Sequence, residues 1–192
     1  MLAHCQSHVD RVFKCSQDKK HDCPLRAKQN VREFASDTYQ NRHTLDAALM
    51  SAGSTVEAVK GILTNQVDSA FAIVRPPGHH AHNSAAGGFC FFNNAAVAAR
   101  VAQKQHGVKK VCIFDWDVHV GDGTANIFMQ DNTVLYISIH RYDMGKFYPG
   151  KLGRHDLIGE GNGRGYNIQW PFNVPQKVDD RIGDRDYIFA CD

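Results

Sequence analysis

Acidic and imidazole side chains alternate in the segment DWDVHVGDG, and they are the residue types of this sequence most suited to chemistry. Asp115, Asp117 and His119 occupy every second position, so in an extended backbone their side chains point to one face. A carboxylate oxygen from Asp117 and an imidazole nitrogen from His119 form a mixed pair that suits zinc and leaves positions for water and substrate. A solvated acidic loop is the disfavoured alternative, because the histidine and glycine are uncommon after a strand. The pattern therefore predicts a metal-binding pair.

Two adjacent histidines, His79 and His80, follow the sequence PPG. Because neighbouring side chains leave the backbone in different directions, one metal ion is not expected to bind both, and an acid/base role is favoured. Asp115 and Asp122 are the carboxylates available to fix an imidazole tautomer and raise its basicity. An isolated pair of histidines is more often a turn feature or part of a core. Beside PPG and the aspartates, the catalytic interpretation is preferred.

Alternating strand and helix patterns surround these residues and predict an α/β fold with a parallel sheet flanked by helices. Ligand sites in such sheets lie beyond the carboxyl ends of the strands, and both the histidines and the aspartates fall there. The predicted elements, in chain order, are short helices or loops over residues 1–40, a helix at 44–63, a strand at 70–74, a helix at 94–106 closed by Gly107, a strand at 110–115, a helix at 124–130, a strand at 134–139, a glycine-rich loop to Gly165, and a helix with Asp184 as its N-cap.

The composition and charge limit the classes of protein to consider. The chain has 192 residues, 43% hydrophobic and 22% charged, which is ordinary for a folded protein, and we assign residues 1–192 to a single domain. Its apolar runs are too short to cross a bilayer, and no signal-peptide pattern is present. A net charge of +2 without a basic run gives no footprint for nucleic acid. Six cysteines without a CxxC pair favour reduced thiols in the nucleus or cytoplasm.

Three segments, RPPGHHAHNSAAGGFCFFNNAAVAA, DWDVHVGDGT and LYISIHRYDMGKFYPG, resemble successive signature blocks of the histone deacetylase family. The likeness is to the class II branch, with Trp116 and the HRYD stretch similar to class IIb, and it extends from about Phe34 to Tyr187. It implies an arginase/deacetylase-type fold, a catalytic zinc ion and hydrolysis of an acetyl-lysine amide. It also implies acetylated histone or non-histone protein substrates, and a co-repressor or other protein partner, so that a link to chromatin would run through protein.

The resemblance assigns roles by position. Asp117 and His119 match the zinc ligands, and His79 and His80 match the tandem histidines that bind and activate the attacking water. Asp115 and Asp122 match the carboxylate partners of those histidines. Gly88 matches the residue whose carbonyl meets the substrate amide, and Phe89 and Tyr148 match the aromatic residues that enclose the lysine stem. Ser138, with the backbone near Asp115, Asp117 and His119, matches a structural potassium site. A second potassium site is expected near Phe128, Val134 and Tyr166.

Some parts of the family pattern are missing or changed. An aspartate that acts as third zinc ligand and a tyrosine that stabilises the oxyanion are not among these residues, so we expect a truncated domain that lacks its C-terminal part. Such a chain would bind zinc weakly and catalyse poorly by itself. Val120 replaces a histidine, which is expected to alter packing rather than chemistry, and Tyr148 replaces a phenylalanine, a mild change. Missing strands would leave a sheet edge and apolar faces uncovered, which implies a partner or instability.

Three interpretations of function follow. The leading one is a zinc-dependent protein lysine deacetylase, and the second is a non-catalytic fragment that binds partners or acetylated tails. The third is a metal hydrolase of arginase or polyamine deacetylase type. The tandem histidines and the small number of aspartates disfavour arginase, whereas a polyamine substrate stays open. Ser36 or Asp37 is predicted to lie at the pocket rim, with a helix cap as the alternative.

Overall fold

The computed structural model of the chain describes residues 3–17, 32–174 and 181–192. The chain forms two compact units, Met1–Lys109 and Lys110–Asp192. Helices dominate the first unit, and a parallel sheet forms the second. No helix among the described residues is long and apolar enough to cross a membrane.

In the described residues of the first unit, three helices and a β-hairpin pack around a small core. Its elements are α1 (Gln6–Gln17), β1 (Arg32–Ala35), β2 (Thr38–Gln40), α2 (Thr44–Leu63) and α3 (Asn94–His106). Strands β1 and β2 pair antiparallel. The core contains the buried side chains Val12, Phe34, Ala48, Phe91 and Phe92. Each large apolar side chain buried there contributes roughly 1.5–3 kcal/mol to folding.

Helices α2 and α3 pack together because both present small side chains. The buried residues of α2 are Ala48, Ser51 and Ala52, and α3 is rich in buried alanines. Asn93 caps the start of α3 by accepting a hydrogen bond from the Ala96 amide at 3.0 Å. Gly107 ends it at φ 71°, a conformation that favours glycine. The bounds predicted for both helices from the sequence are confirmed.

The second unit is built on three parallel strands. Its elements are β3 (Val111–Asp115), α4 (Asp122–Phe128), β4 (Val134–Arg141), β5 (Asn167–Phe172) and α5 (Asp184–Cys191), with three short 3₁₀ turns between β4 and β5. The strand order is β3-β4-β5, so β4 is central. Rings of α5 lie edge-on against β5, with Phe189 6.4 Å from Trp170 and Tyr187 5.7 Å from Phe172. The predicted parallel sheet is confirmed for β3 and β4, whereas β5 was not predicted from the sequence.

Strand β3 forms an edge of this sheet. Within the described residues it pairs only with β4, and Phe114 and Trp116 at its carboxyl end are 44% and 73% exposed.

Other expectations are wrong. Residues 70–74 form no strand, and Phe71 and Ile73 are 89% and 88% exposed. A strand requires a backbone partner, and no described strand pairs with this segment. Helix α4 begins at Asp122 rather than residue 124, and the N-cap of α5 is Gly183 rather than Asp184. The reason is that the Gly183 amide bonds the Asp186 carboxylate at 2.8 Å.

The first forty residues also differ from expectation. They were expected to form short helices or loops, and α1 agrees with that, but residues 32–40 form the β1-β2 hairpin. Residues 18–31 lie outside the described part of the chain.

Candidate active site

The two histidines of the first unit follow directly after PPG. The rings of His79 and His80 are 4.1 Å apart between centroids and tilted by 48°. His80 is buried and His79 is partly exposed. The Ala81 amide bonds the Gly78 carbonyl at 3.0 Å, which closes a turn around the pair. One imidazole is therefore held inside the unit while its neighbour meets solvent.

A buried polar cluster holds the backbone that leads into the histidines. The Ser51 hydroxyl donates to the Pro76 carbonyl at 2.8 Å, and the Asn94 amide donates to Ser51 at 2.8 Å and to Pro76 at 3.2 Å. A Cβ on Gly78 would lie 2.5 Å from the Asn94 nitrogen, so the segment passes directly over the start of α3. Helices α2 and α3 thus fix the position from which the histidines project.

Gly88 and Phe89 adopt left-handed backbone conformations, with φ of 52° and 68°. The β1-β2 turn holds both, since the Gly88 amide donates to Asp37 Oδ1 at 3.0 Å and the Phe89 amide to Thr38 Oγ1 at 3.1 Å. A Cβ at Gly88 would lie 2.3 Å from Cδ2 of His80. Glycine is therefore required at this position both by φ and by its contact with the imidazole.

This arrangement also bears on Asp37 and Ser36. Both lie in the turn between β1 and β2, so the helix-cap alternative is wrong. Asp37 instead holds the backbone of Gly88. Phe89 is 61% exposed, as a residue that meets a ligand would be. The position of Asp37 at a pocket rim stays a prediction.

In the second unit, Asp115, Asp117 and His119 are linked by short local hydrogen bonds. The Asp117 amide donates to Asp115 Oδ1 at 3.2 Å, and the His119 amide donates to Asp117 Oδ1 at 2.8 Å. His119 Nδ1 lies 3.2 Å from the same Asp117 oxygen. The side chains of His119 and Asp117 are 35% and 50% exposed. The side chains of Asp117 and His119 therefore lie together and both reach solvent, whereas the convergence of all three side chains stays a prediction.

The donor pair fits zinc in type and spacing, but the number of donors is incomplete. Two atoms that each lie about 2.0–2.1 Å from one tetrahedral zinc ion are about 3.3 Å apart, close to the 3.2 Å between Asp117 Oδ1 and His119 Nδ1. Catalytic zinc sites take three protein ligands. Across residues 3–17, 32–174 and 181–192, no group of three or more His, Cys, Asp or Glu side chains is arranged to hold a metal ion. The described residues therefore place two donor atoms suited to zinc side by side, and their role as ligands stays a prediction.

Asp115 has a partner that the sequence did not indicate. The hydroxyl of Tyr136, a fully buried residue of β4, donates to Asp115 Oδ2 at 2.9 Å. Burial, and then the nearby Asp115 carboxylate, raise the pKa of Tyr136 well above its usual range. The phenol therefore stays protonated and orients the carboxylate. Asp122 is buried in the first turn of α4, where the helix dipole favours a carboxylate.

Aromatic side chains surround His119. Phe147 stacks on its ring at 5.0 Å with 8° between the planes, and Tyr148 meets it edge-on at 5.8 Å. The Arg141 guanidinium lies 4.5 Å from the Phe147 ring centre. Tyr148 was predicted as a substrate wall, whereas Phe147 was missed, although it is the adjacent residue of the FYPG sequence. The stacking limits the orientations that the imidazole can adopt.

The predicted potassium ligand Ser138 belongs to a buried chain of hydrogen bonds. Its Oγ lies 2.9 Å from His140 Nδ1, and His140 Nε2 lies 2.9 Å from the Gly153 carbonyl. Burial lowers the pKa of His140, so the neutral ring donates from Nε2 and accepts the Ser138 proton at Nδ1. Val120 is buried, and its Cγ1 would be 3.2 Å from a Cβ on Gly153, which agrees with a packing role.

The second potassium site was expected near Phe128, Val134 and Tyr166. The Phe128 carbonyl accepts the Asp131 amide at 3.0 Å, and the Tyr166 carbonyl accepts the Tyr136 amide at 2.9 Å. Val134 is fully buried. Both potassium sites stay predictions.

Comparison with known proteins places the chain in a family. The histone deacetylase domain model matches residues 1–191. Histone deacetylase 15 of Arabidopsis thaliana is 46% identical over 98% of this chain and 31% of its own length. Histone deacetylase HDA1 of Saccharomyces cerevisiae is 43% identical over 82% of this chain and 22% of its own length. The crystal structure of the HDA15 HD domain superimposes with a TM-score of 0.85 at 45% identity, covering 97% of this chain and 48% of that one.

The chain therefore belongs to the histone deacetylase domain family and has the α/β deacetylase fold. Likeness to HDA1-type proteins agrees with the class II resemblance. The chain spans less than a third of the length of these two curated relatives.

Proposed function

We propose that this chain contributes to hydrolysis of an acetyl-lysine amide in a protein, which yields lysine and acetate. Family membership over residues 1–191 supports the reaction class. The observation that carries the proposal is the pair Asp117 and His119, whose donor atoms are 3.2 Å apart on two solvent-reaching side chains. Since the chain spans only part of its curated relatives, the activity is proposed for the site to which it contributes.

Asp117 and His119 are proposed to provide two ligands to zinc. When bound, zinc would polarise the amide carbonyl and lower the pKa of a water molecule. An imidazole of His79 or His80 would take the proton from that water and later deliver one to the leaving amine. Gly88 leaves room for the buried His80 ring, because a Cβ at this position would lie 2.3 Å from its Cδ2. Asp115 and Asp122 are proposed as the carboxylates that support these imidazoles.

The substrate path is proposed from Gly88, Phe89 and Tyr148. The Gly88 carbonyl would accept the substrate amide N–H, and the two rings would enclose the apolar stem of acetyl-lysine. Exposure of Phe89 at 61% and Tyr148 at 43% supports a ligand-facing role for both rings. A neutral acyl-lysine suits aromatic walls better than a charged lysine does, because a charge loses its hydration on entry.

We also propose a domain assignment, a structural potassium site, a subclass and binding partners for this chain. One family model spans residues 1–191, which supports assignment of residues 1–192 to a single deacetylase-type domain. Ser138 and the neighbouring backbone are proposed as a structural potassium site. Trp116 and the HRYD stretch support a class IIb-like assignment. The proposed partners are acetylated histone or non-histone proteins and a co-repressor or other protein, in the nucleus or cytoplasm, without direct contact to nucleic acid.

Zinc content and turnover of an acetyl-lysine peptide test the proposal on the purified chain. We expect about one zinc ion per chain and slow hydrolysis that falls about 10²-fold or more in His79→Ala and His80→Ala. His155→Ala is the matched control, because His155 is exposed in the second unit, and it should keep the wild-type rate. A metal-free chain without turnover contradicts hydrolysis by this chain alone, and turnover that His79→Ala and His80→Ala leave unchanged contradicts the proposed site.

A second candidate function is binding of acetylated tails without hydrolysis. The lack of a three-ligand cluster among the described residues favours it. It predicts that an acetylated peptide binds more tightly than its unmodified form while no acetate is released. Fluorescence anisotropy with the two peptides, alongside an acetate assay, separates the candidates.

A further inference from the structure

A histidine near the N-terminus uses both ring nitrogens to bridge two distant backbone positions. His4 Nδ1 lies 2.9 Å from the His82 carbonyl, and the Asn93 amide donates to His4 Nε2 at 2.9 Å. Because Nε2 accepts a hydrogen bond, the proton of the neutral ring is on Nδ1 and is donated to His82. His4 is 6% exposed. It therefore ties together the two ends of residues 82–93, which we call the site loop.

Neighbouring residues strengthen this attachment. The Cys5 amide donates to the Asn83 carbonyl at 3.0 Å, and the Asn83 side chain donates to the Ala3 carbonyl at 3.0 Å. His8 Nε2 donates to the Phe91 carbonyl at 2.8 Å. The rings of His4 and His8 also contact Phe92, at 5.7 and 6.1 Å. Residues 3–8 are thus bonded along the site loop as well as at its ends.

The site loop carries two residues of the proposed substrate path. Gly88 and Phe89 lie between Gly87 and Cys90, which form an isolated bridge with hydrogen bonds of 3.2 and 2.8 Å. The loop contains no other regular structure. Its conformation therefore depends on hydrogen bonds to residues outside the loop. Joining its ends reduces the number of open conformations that it can reach.

We propose that His4 is a positioning residue: by joining residues 82 and 93, its imidazole fixes the loop conformation that presents Gly88 and Phe89. The effect on acyl-lysine rests on the proposed function, whereas the fixing of the loop does not. The low pKa of His4, about 4 because of burial and then the charge of His8, keeps the bridging ring neutral at physiological pH.

Two variants of the full chain test the bridge. His4→Phe keeps an aromatic ring against Phe92 and removes both nitrogens. His4→Asn keeps a donor and acceptor at the level of Nδ1 but cannot reach Asn93. Gln6→Ala is the matched control, because Gln6 is exposed at the start of α1, two residues after His4, and bonds Asp10 one turn further along that helix.

Residue-resolved amide exchange is the measurement. We expect the amides of Cys90 and Asn93 to exchange at least tenfold faster in His4→Phe, with an intermediate effect in His4→Asn and none in Gln6→Ala. Unchanged exchange at both amides in His4→Phe overturns the proposal. If the amides of β3 to β5 also lose protection in His4→Phe, this variant has unfolded. His4→Asn then decides, and a wild-type exchange rate of the Asn93 amide in His4→Asn overturns the proposal.

Turnover supplies a second readout. Where the wild type hydrolyses the acetyl-lysine peptide, His4→Phe should raise KM by a larger factor than it lowers kcat, because it disturbs the substrate path rather than the imidazole that moves protons. A fall in kcat with an unchanged KM contradicts the positioning role. If the wild type has no turnover, hydrolysis by this chain alone is contradicted, while amide exchange still decides whether His4 fixes the loop.

Discussion

The two groups of candidate catalytic residues are held in different ways. In the first unit, side chains far away in sequence bond the backbone around His79, His80 and Gly88, with separations of up to 89 residues. In the second unit, Asp117 and His119 bond residues two positions apart, and both side chains reach solvent. Long-range hydrogen bonds thus preorganise the histidine region, whereas the hydrogen bonds that link Asp117 and His119 are local. Substitutions should therefore destabilise the first region more than the second.

The largest effect is expected from Gly88→Ala. Its φ of 52° and a Cβ at 2.3 Å from the His80 ring combine backbone strain with overpacking, so the free energy of unfolding should fall by about 2–4 kcal/mol. Gly107→Ala separates the two causes, because Gly107 has φ 71° and nothing within 4 Å of the added Cβ. It should lose about 1–2 kcal/mol. Equal losses in denaturant unfolding would show that the contact with His80 contributes nothing.

A smaller effect is expected from Ser51→Ala. The substitution removes the hydroxyl that bonds Pro76 and Asn94 and leaves buried polar groups without it, so unfolding should become easier by about 1–3 kcal/mol. Ser54→Ala, on the same helix and partly exposed, is the control and should change stability by less than about 0.5 kcal/mol. Indistinguishable stabilities of the two variants would remove the Ser51 cluster from the account.

The pH dependence of stability tests how the His4 bridge is held. Burial lowers the pKa of His4 from 6.5 to about 4, so between these values the unfolded chain binds a proton that the folded chain does not. The contribution of neutral His4 to the free energy of unfolding is complete above pH 6.5 and is lost progressively as the pH falls towards 4. His8, which packs against His4 and whose pKa burial also lowers, acts in the same direction, with Arg11 nearby.

His4→Asn should therefore lose less stability than the wild type when unfolding is measured from pH 7 to pH 4. His155→Asn, at an exposed position, should keep the wild-type slope. A His4→Asn chain with the same pH dependence as the wild type would show that His4 does not titrate differently on folding.

The smallest effect on the fold is expected from Asp117→Asn. Asp117 is half exposed and bonded locally, so the metal-free free energy of unfolding should change by less than about 1 kcal/mol. Zinc affinity should nevertheless fall by at least about tenfold, because an amide oxygen is a poorer ligand than a carboxylate. A loss of stability as large as that of Gly88→Ala would abolish the contrast between the two regions.

Local patterns predicted much of the fold. The apolar periodicity of α2, the alanines and Gly107 of α3, and the apolar runs of β3 and β4 each identify their element without tertiary information. The β1-β2 hairpin was missed because its strands have only four and three residues. Residues 70–74 were wrongly predicted as a strand, because an apolar run indicates a strand only where a partner strand is present.

The candidate site was predictable to a similar extent. Residue types and spacing identified the histidines, the aspartates and His119, and the family resemblance supplied Gly88, Phe89 and Tyr148. The supporting contacts of His4, Ser51 and Asn94 were not predictable, because each joins residues far apart in the sequence. The stacking of Phe147 on His119 was the nearest to being found, since Phe147 adjoins a residue that was named.

The most direct test of the central claim is a zinc titration followed through the histidine ring signals of the isotope-labelled chain. We expect the His119 signals to shift first and to saturate near one zinc ion per chain. The His155 and His4 signals should not move, and Asp117→Asn should weaken the response. Zinc binding that leaves His119 unchanged, or a response that Asp117→Asn does not alter, would contradict the assignment of this pair as the metal-binding part of a deacetylase site.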